Sequence, residues 1–303
     1  MIKRLVSLGS VIVDLVLEVP ALPDRGGDVL ASQRGMAAGG AFNVLSAAAR
    51  LGLPGLYAGP HGMGPFGDLV RAALARDGVQ LVMPPNPHLD TGWTLALVEP
   101  DGERTFVTVT GADAVVFPEA LRPIEYRDGD AVYVSGYDLA YPDAGAAIAE
   151  HAAALAPNLV VVLDPGPLVV DIESSRLAAV LGRVDVLSLN RRELEALGGL
   201  RQVTGRVRPV TTVILREGPD GATIHRAGSI PEQVPSVRVQ AVDTSGAGDV
   251  HVGAMLAGLA RGMSWPDAVL FANRAAAYAV SRPGPAAGPT DAELEKFRAG
   301  RWE

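Results

Sequence analysis

Along the chain, short apolar runs rich in Val, Ile and Leu alternate with Ala-rich stretches whose apolar positions recur at helical spacing. Runs apolar at every position suit strands buried on both faces, and helices between them suit a parallel sheet covered on each side. The pattern predicts core strands over 5–10, 55–59, 131–135, 159–164, 184–190 and 211–217. It predicts helices over 41–51, 67–77, 144–155, 193–197, 248–261, 265–280 and 291–298. Four segments break the alternation, 11–19, 28–34, 91–100 and 104–110, and each alternates apolar with polar like a half-buried strand. The last two flank the turn Pro100-Asp101-Gly102-Glu103. They predict a small antiparallel sheet, built from excursions of a doubly wound α/β domain and placed as a lid over its cleft. No linker or repeat divides residues 1–303, so a single domain is expected.

Composition narrows the function. Hydrophobic residues make up 48% and charged residues 20%, which fits a globular chain with a large core. Glycine stands at 35 of 303, well above the roughly 7% usual in proteins, so many turns or close backbone approaches are needed. Cysteine is absent, which excludes disulfides, thiolate metal sites and a thiol nucleophile, and fits the cytoplasm. The net charge is −8 with no basic run, so nucleic acid is not an expected partner. Asp14 and Glu18 interrupt the apolar start, and no run reaches the ~18 residues of a membrane span. The five histidines show no metal-ligand spacing, so no protein-held metal is expected.

The strongest chemical signal is Asp243-Thr244-Ser245-Gly246-Ala247-Gly248-Asp249, after a strand-like stretch over 237–242 and at the start of a helix. Small residues at a helix N-terminus leave backbone N–H groups free at the positive end of the dipole, which makes an anion hole. A carboxylate beside it, Asp249, would repel a phosphate unless it accepts a proton from an attacking hydroxyl. Near the N-terminus, Gly39-Gly40-Ala41-Phe42-Asn43 offers bare backbone to a polyol and an amide to a pair of hydroxyls. Asp14, inside an apolar strand, needs hydrogen-bonding company. Asn190-x-x-Glu193 follows a strand, and at that spacing both side chains can enter one cleft or cap one helix. Arg216-x-Gly218-x-x-Gly221 closes another strand, where a guanidinium suits a phosphate.

The heptad resembles the DTxGAGD signature of the ribokinase family, also called PfkB carbohydrate kinases, and the Gly39-Gly40…Asn43 segment resembles that family's other signature. The resemblance extends to Asp101-Gly102-Glu103-Arg104-Thr105-Phe106 and to Gly62-x-Gly64-x-x-Gly67-Asp68. It implies a three-layer α/β/α sandwich with a mainly parallel sheet and a β-sheet lid. It also implies transfer of a phosphoryl group from ATP, with Mg2+, to a hydroxymethyl group of a small sugar. In that reading Asp249 is the base, and Gly246, Ala247 and Gly248 build the anion hole. Asp14, Gly39, Gly40 and Asn43 would hold the sugar. Asn190 and Glu193 would order the outer shell of magnesium, Arg216, Gly218 and Gly221 would form the nucleotide loop, and Asn273 would border the adenine. A loop over 282–289 would hold a monovalent cation, K+, and the exposed lid invites two copies to pair.

The sequence departs from the family at Gly64, where many relatives carry Asp, and at His251, where an aromatic, often Phe, is common. His61 and Trp93 fit either the sugar pocket or the core. No G-x-x-x-x-G-K-[ST] and no H-R-D or D-F-G set occurs, which excludes P-loop and protein kinases. A nucleoside kinase of the same fold is the alternative acceptor class. A sugar or nucleotide sensor without catalysis is a third reading, which an intact Asp249 disfavours.

Overall fold

Alternate side chains of the central strands enter two different cores. Leu5, Ala131, Val162 and Val186 join Tyr57 on one side of the sheet, while their neighbours Val6, Val132, Val161 and Leu187 are buried on the other. Apolar residues at successive positions are what a sheet buried on both faces requires. The computed structural model describes residues 1–284 and 288–300. In chain order its strands are β1 (Arg4–Ser7), β2 (Val11–Glu18), β3 (Ser32–Gly40), β4 (Gly55–Tyr57), β5 (Gln80–Leu81), β6 (Trp93–Val98), β7 (Arg104–Val109), β8 (Asp130–Ser135), β9 (Val160–Asp164), β10 (Val186–Asn190), β11 (Thr212–Arg216), β12 (Ala222–His225) and β13 (Glu232–Val234). The helices are α1 (Ala41–Arg50), α2 (Pro65–Arg76), α3 (Pro118–Leu121), α4 (Gly136–Ala140), α5 (Ala144–Ala153), α6 (Ser174–Leu181), α7 (Arg191–Ala196), α8 (Leu200–Thr204), α9 (Ala247–Ala260), α10 (Trp265–Val280) and α11 (Asp291–Arg298).

The large sheet runs β13-β12-β11-β10-β9-β8-β1-β4-β5. From β11 to β5 every pair is parallel, and β12 and β13 add an antiparallel edge. That edge goes beyond the sequence reading, because Ala222–His225 and Glu232–Val234 are too short to display a period. α1, α9 and α10 supply the core on one face and α5 and α6 the core on the other, giving three layers. The chain leaves β1 toward β4 and β5 on one side, and β8 leads to β9, β10 and β11 on the other. The order thus reverses between β1 and β8, and a crevice opens there at the carboxyl ends of the strands.

The second sheet has the order β3-β2-β6-β7. Its central pair, β2 and β6, is parallel, which corrects the expected all-antiparallel sheet. Both strands leave the large domain in the same direction, since the chain returns through α1, β4 and α2 before the second excursion. The predicted segment 28–34 is also displaced, for β3 begins at Ser32 and ends at Gly40. Its Gly and Ala residues carry no hydrophobic period and are held by pairing with β2, from Glu18↔Ser32 to Val11↔Gly40. The stretch 237–242 is not a strand: the sheet ends at β13, and Val237 and Val242 are 38% and 50% exposed. No helix among the described residues is long and apolar enough to cross a membrane.

Candidate active site

Three neighbouring strands end in charged or polar groups at the crevice: Asp164 closes β9, Asn190 closes β10 and Arg216 closes β11. Arg216 Nη1 donates to Asp164 Oδ2 at 2.5 Å and Nη2 to Glu193 Oε2 at 3.3 Å. Burial alone would lower the guanidinium's pKa, and the charges of Asp164 and Glu193 overcome it and raise it. The guanidinium expected to meet a nucleotide phosphate is therefore committed to two carboxylates. It also lies against the GAG segment, since a Cβ on Gly248 would come within 2.7 Å of Nη1. Asn190 and Glu193 form a capping box at the start of α7, with Asn190 Oδ1 accepting from Glu193 N at 3.0 Å and Glu193 Oε2 accepting from Asn190 N at 2.7 Å. Burial, then the charge of Asp164, raises the Glu193 carboxyl, and Arg216 opposes the rise.

Gly246 adopts the left-handed conformation, φ 67°, and α9 begins after it. The N–H of Ala247, expected to contribute to the anion hole, donates instead to Thr244 O at 3.3 Å. Gly248 and Asp249 keep their N–H groups free among the described residues, at the positive end of a fourteen-residue helix. Asp249 Oδ2 accepts from Asn43 Nδ2 at 3.2 Å, so α1 and α9 converge and join motifs 206 positions apart. Burial, and next the charge of Asp164, push the Asp249 carboxyl up to about 7 against Asn43 and Arg216.

On the other side of Asp249 the acceptor groups are unspent. Asn43 is 4% exposed and its Oδ1 has no hydrogen-bond partner among the described residues. Asp14, on β2, has none either, and burial raises its carboxyl to about 6. Gly39 permits this close approach, since a Cβ there would stand 2.0 Å from Asp14 Oδ2. Gly40, at φ 62°, turns the chain into α1. Asp14 pairs in register with Thr94, and Thr94 with Thr108, so these polar side chains share one face of the second sheet. Trp93 lies on the opposite face and packs on Phe66 with ring centroids 6.2 Å apart. His61 is 1% exposed and packs near Tyr57, with ring centroids 6.2 Å apart.

Beyond Gly248 a cavity of about 650 Å³ extends between the loop after β11, the segment after β13 and α10. Asn190, Arg216, Gly248, Gly218, Gly221, His251 and Asn273 are among the residues that line it. Gly221, at φ 98°, is required by the turn, because a Cβ would meet Val234 O at 2.1 Å. Of the loop 282–289, residues 285–287 lie outside the described residues.

Sequence reasoning passed over three contacts. Asp164 is the partner of Arg216, and its signal is a carboxylate at the end of an apolar strand. Arg104 of β7 donates to Asp243 Oδ1 at 2.6 Å, which ties the second sheet to the glycine-rich loop. Asp243 also accepts from Ser245 N at 2.9 Å and Gly284 N at 3.2 Å. Asp90 accounts for Gly64: its carboxylate accepts from Phe66 N at 3.1 Å and Gly67 N at 2.7 Å, capping α2, and a Cβ on Gly64 would stand 2.6 Å from it.

The pfkB family carbohydrate kinase profile matches residues 2–292. An Escherichia coli protein described as the uncharacterized sugar kinase YegV is 33% identical over 297 residues, covering 95% of this chain and 91% of that one. The ATP-dependent ribose-1-phosphate kinase of Halopiger xanaduensis is 31% identical over 311 residues, covering 99% of each chain. The crystal structure of Thermotoga maritima ribokinase superposes with a TM-score of 0.82 at 25% identity, covering 98% of this chain and 99% of that one. The chain belongs to the pfkB family of carbohydrate kinases.

Proposed function

We propose that this kinase transfers the γ-phosphoryl group of ATP to the hydroxymethyl group of a small sugar or sugar-like polyol, with Asp249 as general base. One observation carries the reading: Asp249, raised to about 7, stands in the first turn of α9 beside two free N–H groups and is held by Asn43. A carboxyl poised near neutrality suits proton acceptance at physiological pH. As the hydroxyl oxygen bonds to phosphorus, its proton passes to Asp249, the bond from the γ-phosphorus to the bridging oxygen breaks, and ADP leaves. Gly248 N and Asp249 N hold the transferring phosphoryl in a preorganised field.

The unpaired acceptors of Asp14 and Asn43 take substrate hydroxyls, which offsets the cost of burying them. The cavity lined by Gly218, Gly221 and Asn273 takes the nucleotide, with its phosphates toward Gly248. Mg2+ fits as a passenger of the phosphates. No group of three metal-ligating side chains occurs among the described residues, and Asn190 and Glu193, bonded to each other at the start of α7, would lie in its outer shell and bond its waters. Bound there, the ion would shield phosphate charge. The second sheet, tied down through Arg104, covers the cleft and keeps water from competing for the phosphoryl group. Phe106, Val107 and Val109 of β7 are exposed at 58%, 51% and 42%, which supports pairing of two copies through that sheet.

A nucleoside acceptor is the second reading. Tyr137, at the crevice end of β8, is 47% exposed, and burial, then Asp249, Asp164, Glu193 and Asp14, raise its hydroxyl to about 12. An exposed ring in the field of the cleft carboxylates suits stacking against a planar base. ADP release with Mg-ATP, measured over pentoses, hexoses, ketoses, sugar acids, sugar phosphates and nucleosides, decides. A free sugar or polyol as best acceptor is the expected result. Preference for a nucleoside over every sugar reverses the order of the readings, and no phosphorylated product from any acceptor refutes both.

A further inference from the structure

His251 stands where relatives often carry Phe, yet it is 4% exposed in the wall of the nucleotide cavity. It lies one turn after Ala247 on α9 and faces α10, where Asn273 Oδ1 is 3.1 Å from its Nε2. The protons of this pair are fixed by the neighbours. Asn273 Nδ2 donates to both Val234 O and Pro235 O at 3.1 Å, so the atom Asn273 turns to the ring is its carbonyl oxygen. That oxygen can only accept, so the proton sits on Nε2. Burial, assisted by the charge of Arg216, holds the imidazole pKa at about 3, so the ring is neutral. Nδ1 is then a bare lone pair, and it has no hydrogen-bond partner among the described residues. A buried acceptor left unpaired is costly, and it is a recognition element once a ligand supplies the donor.

We infer that His251 reads the base of the phosphoryl donor, its Nδ1 accepting a hydrogen bond from an exocyclic amino group such as the 6-amino group of adenine. Asn273 acts as the positioning residue, fixing the tautomer. A base with a carbonyl at that position would set acceptor against acceptor, so guanine and hypoxanthine are disfavoured. The inference rests on the nucleotide occupying this cavity, as the kinase reading requires.

The test is equilibrium binding of nucleotides by the whole protein without acceptor, measured calorimetrically with Mg2+ for ATP, purine riboside 5′-triphosphate, ITP and GTP. Purine riboside triphosphate differs from ATP by the missing amino group alone. One lost hydrogen bond to a buried acceptor predicts roughly tenfold weaker binding than ATP, with ITP and GTP weaker still. In His251→Phe the ratio of ATP to purine riboside triphosphate affinity falls to about one. Equal binding of those two ligands by the unmodified protein overturns the inference without needing any variant, as does a preference that survives His251→Phe. Failure of the kinase reading looks different: ATP then binds with no measurable affinity, or binds without being consumed by any acceptor.

Discussion

Replacing Asp249 with Asn removes a charge that the fold holds at a cost, so activity and stability move in opposite directions. The folded carboxyl titrates at about 7 against an ordinary 3.8, and the gap of about three units, at 1.36 kcal/mol each, sets a ceiling of about 4 kcal/mol on the strain of ionising it. Residual exposure toward the cleft screens part of that, so a gain of about 1–2 kcal/mol is the working expectation for the variant at pH 8. The sign follows from proton counting. Between pH 4 and 7 the folded state binds more protons at this group than the unfolded state does, so this contribution to stability declines as pH rises and levels off above about 7. Asn does not titrate, so the stability difference is near zero at pH 4, grows through pH 5 to 7 and is then constant. Urea melts of both proteins at matched pH measure it. Turnover, followed by ADP release, falls at least ~10²-fold through loss of the base. In the unmodified protein kcat/KM declines below about pH 7 as Asp249 takes up a proton. Two results refute the reasoning: turnover kept within tenfold removes the base, and a stability difference independent of pH removes the strained carboxylate.

Three further substitutions probe other joints of the site. Asp14→Asn weakens the grip on substrate hydroxyls, and loss of charge-assisted bonds worth about 1.5–3 kcal/mol raises the acceptor KM by ~10–150-fold while ATP affinity, measured by calorimetry, holds. Gly253→Ala drives a Cβ to 2.5 Å from Val44 O and 2.9 Å from the Ala47 Cβ where α9 crosses α1. The expected loss of unfolding free energy is about 1–3 kcal/mol despite the better helix propensity of Ala. Arg104→Met strips Asp243 of its cation and lowers stability by about 1.5–3 kcal/mol in urea melts, whereas an unchanged melt would show the sheet and the loop to be independent.

Much of the architecture could be read from the chain because its signals were local. The helix predicted over 265–280 has those bounds in the structure, with Ser264 accepting from Asp267 N at its start and Pro266 in its first turn. The start of α9 was similarly legible, because glycine supplies the left-handed residue, Gly246 at φ 67°, that turns the chain into the helix. What failed was non-local. The stretch 237–242 alternates like a strand yet pairs with no strand among the described residues, and the sheet ends at β13. The parallel pairing of β2 with β6 depends on how the chain re-enters the domain between them. Arg216 looked free because its partner, Asp164, is 52 positions away at the end of a different strand. Asn190-x-x-Glu193 fits two patterns at once, and the capping box is the one whose bonds lie within the motif itself.

The cap of α2 implies that positions 64 and 90 do not vary independently. In this chain the carboxylate at that helix start arrives from Asp90, and Gly64 leaves it room. A chain with Asp at 64 would bring its own carboxylate to the same pair of N–H groups, and two such charges in one place repel. The substitution is therefore a swap of supplier. Moving from one arrangement to the other one residue at a time crosses a state with either two carboxylates or none, so the two positions are expected to change as a pair. Gly64→Asp alone should destabilise the helix start, both by crowding Asp90 and because φ 145° favours glycine, and Gly64→Asp with Asp90→Ser should recover only the part lost to crowding.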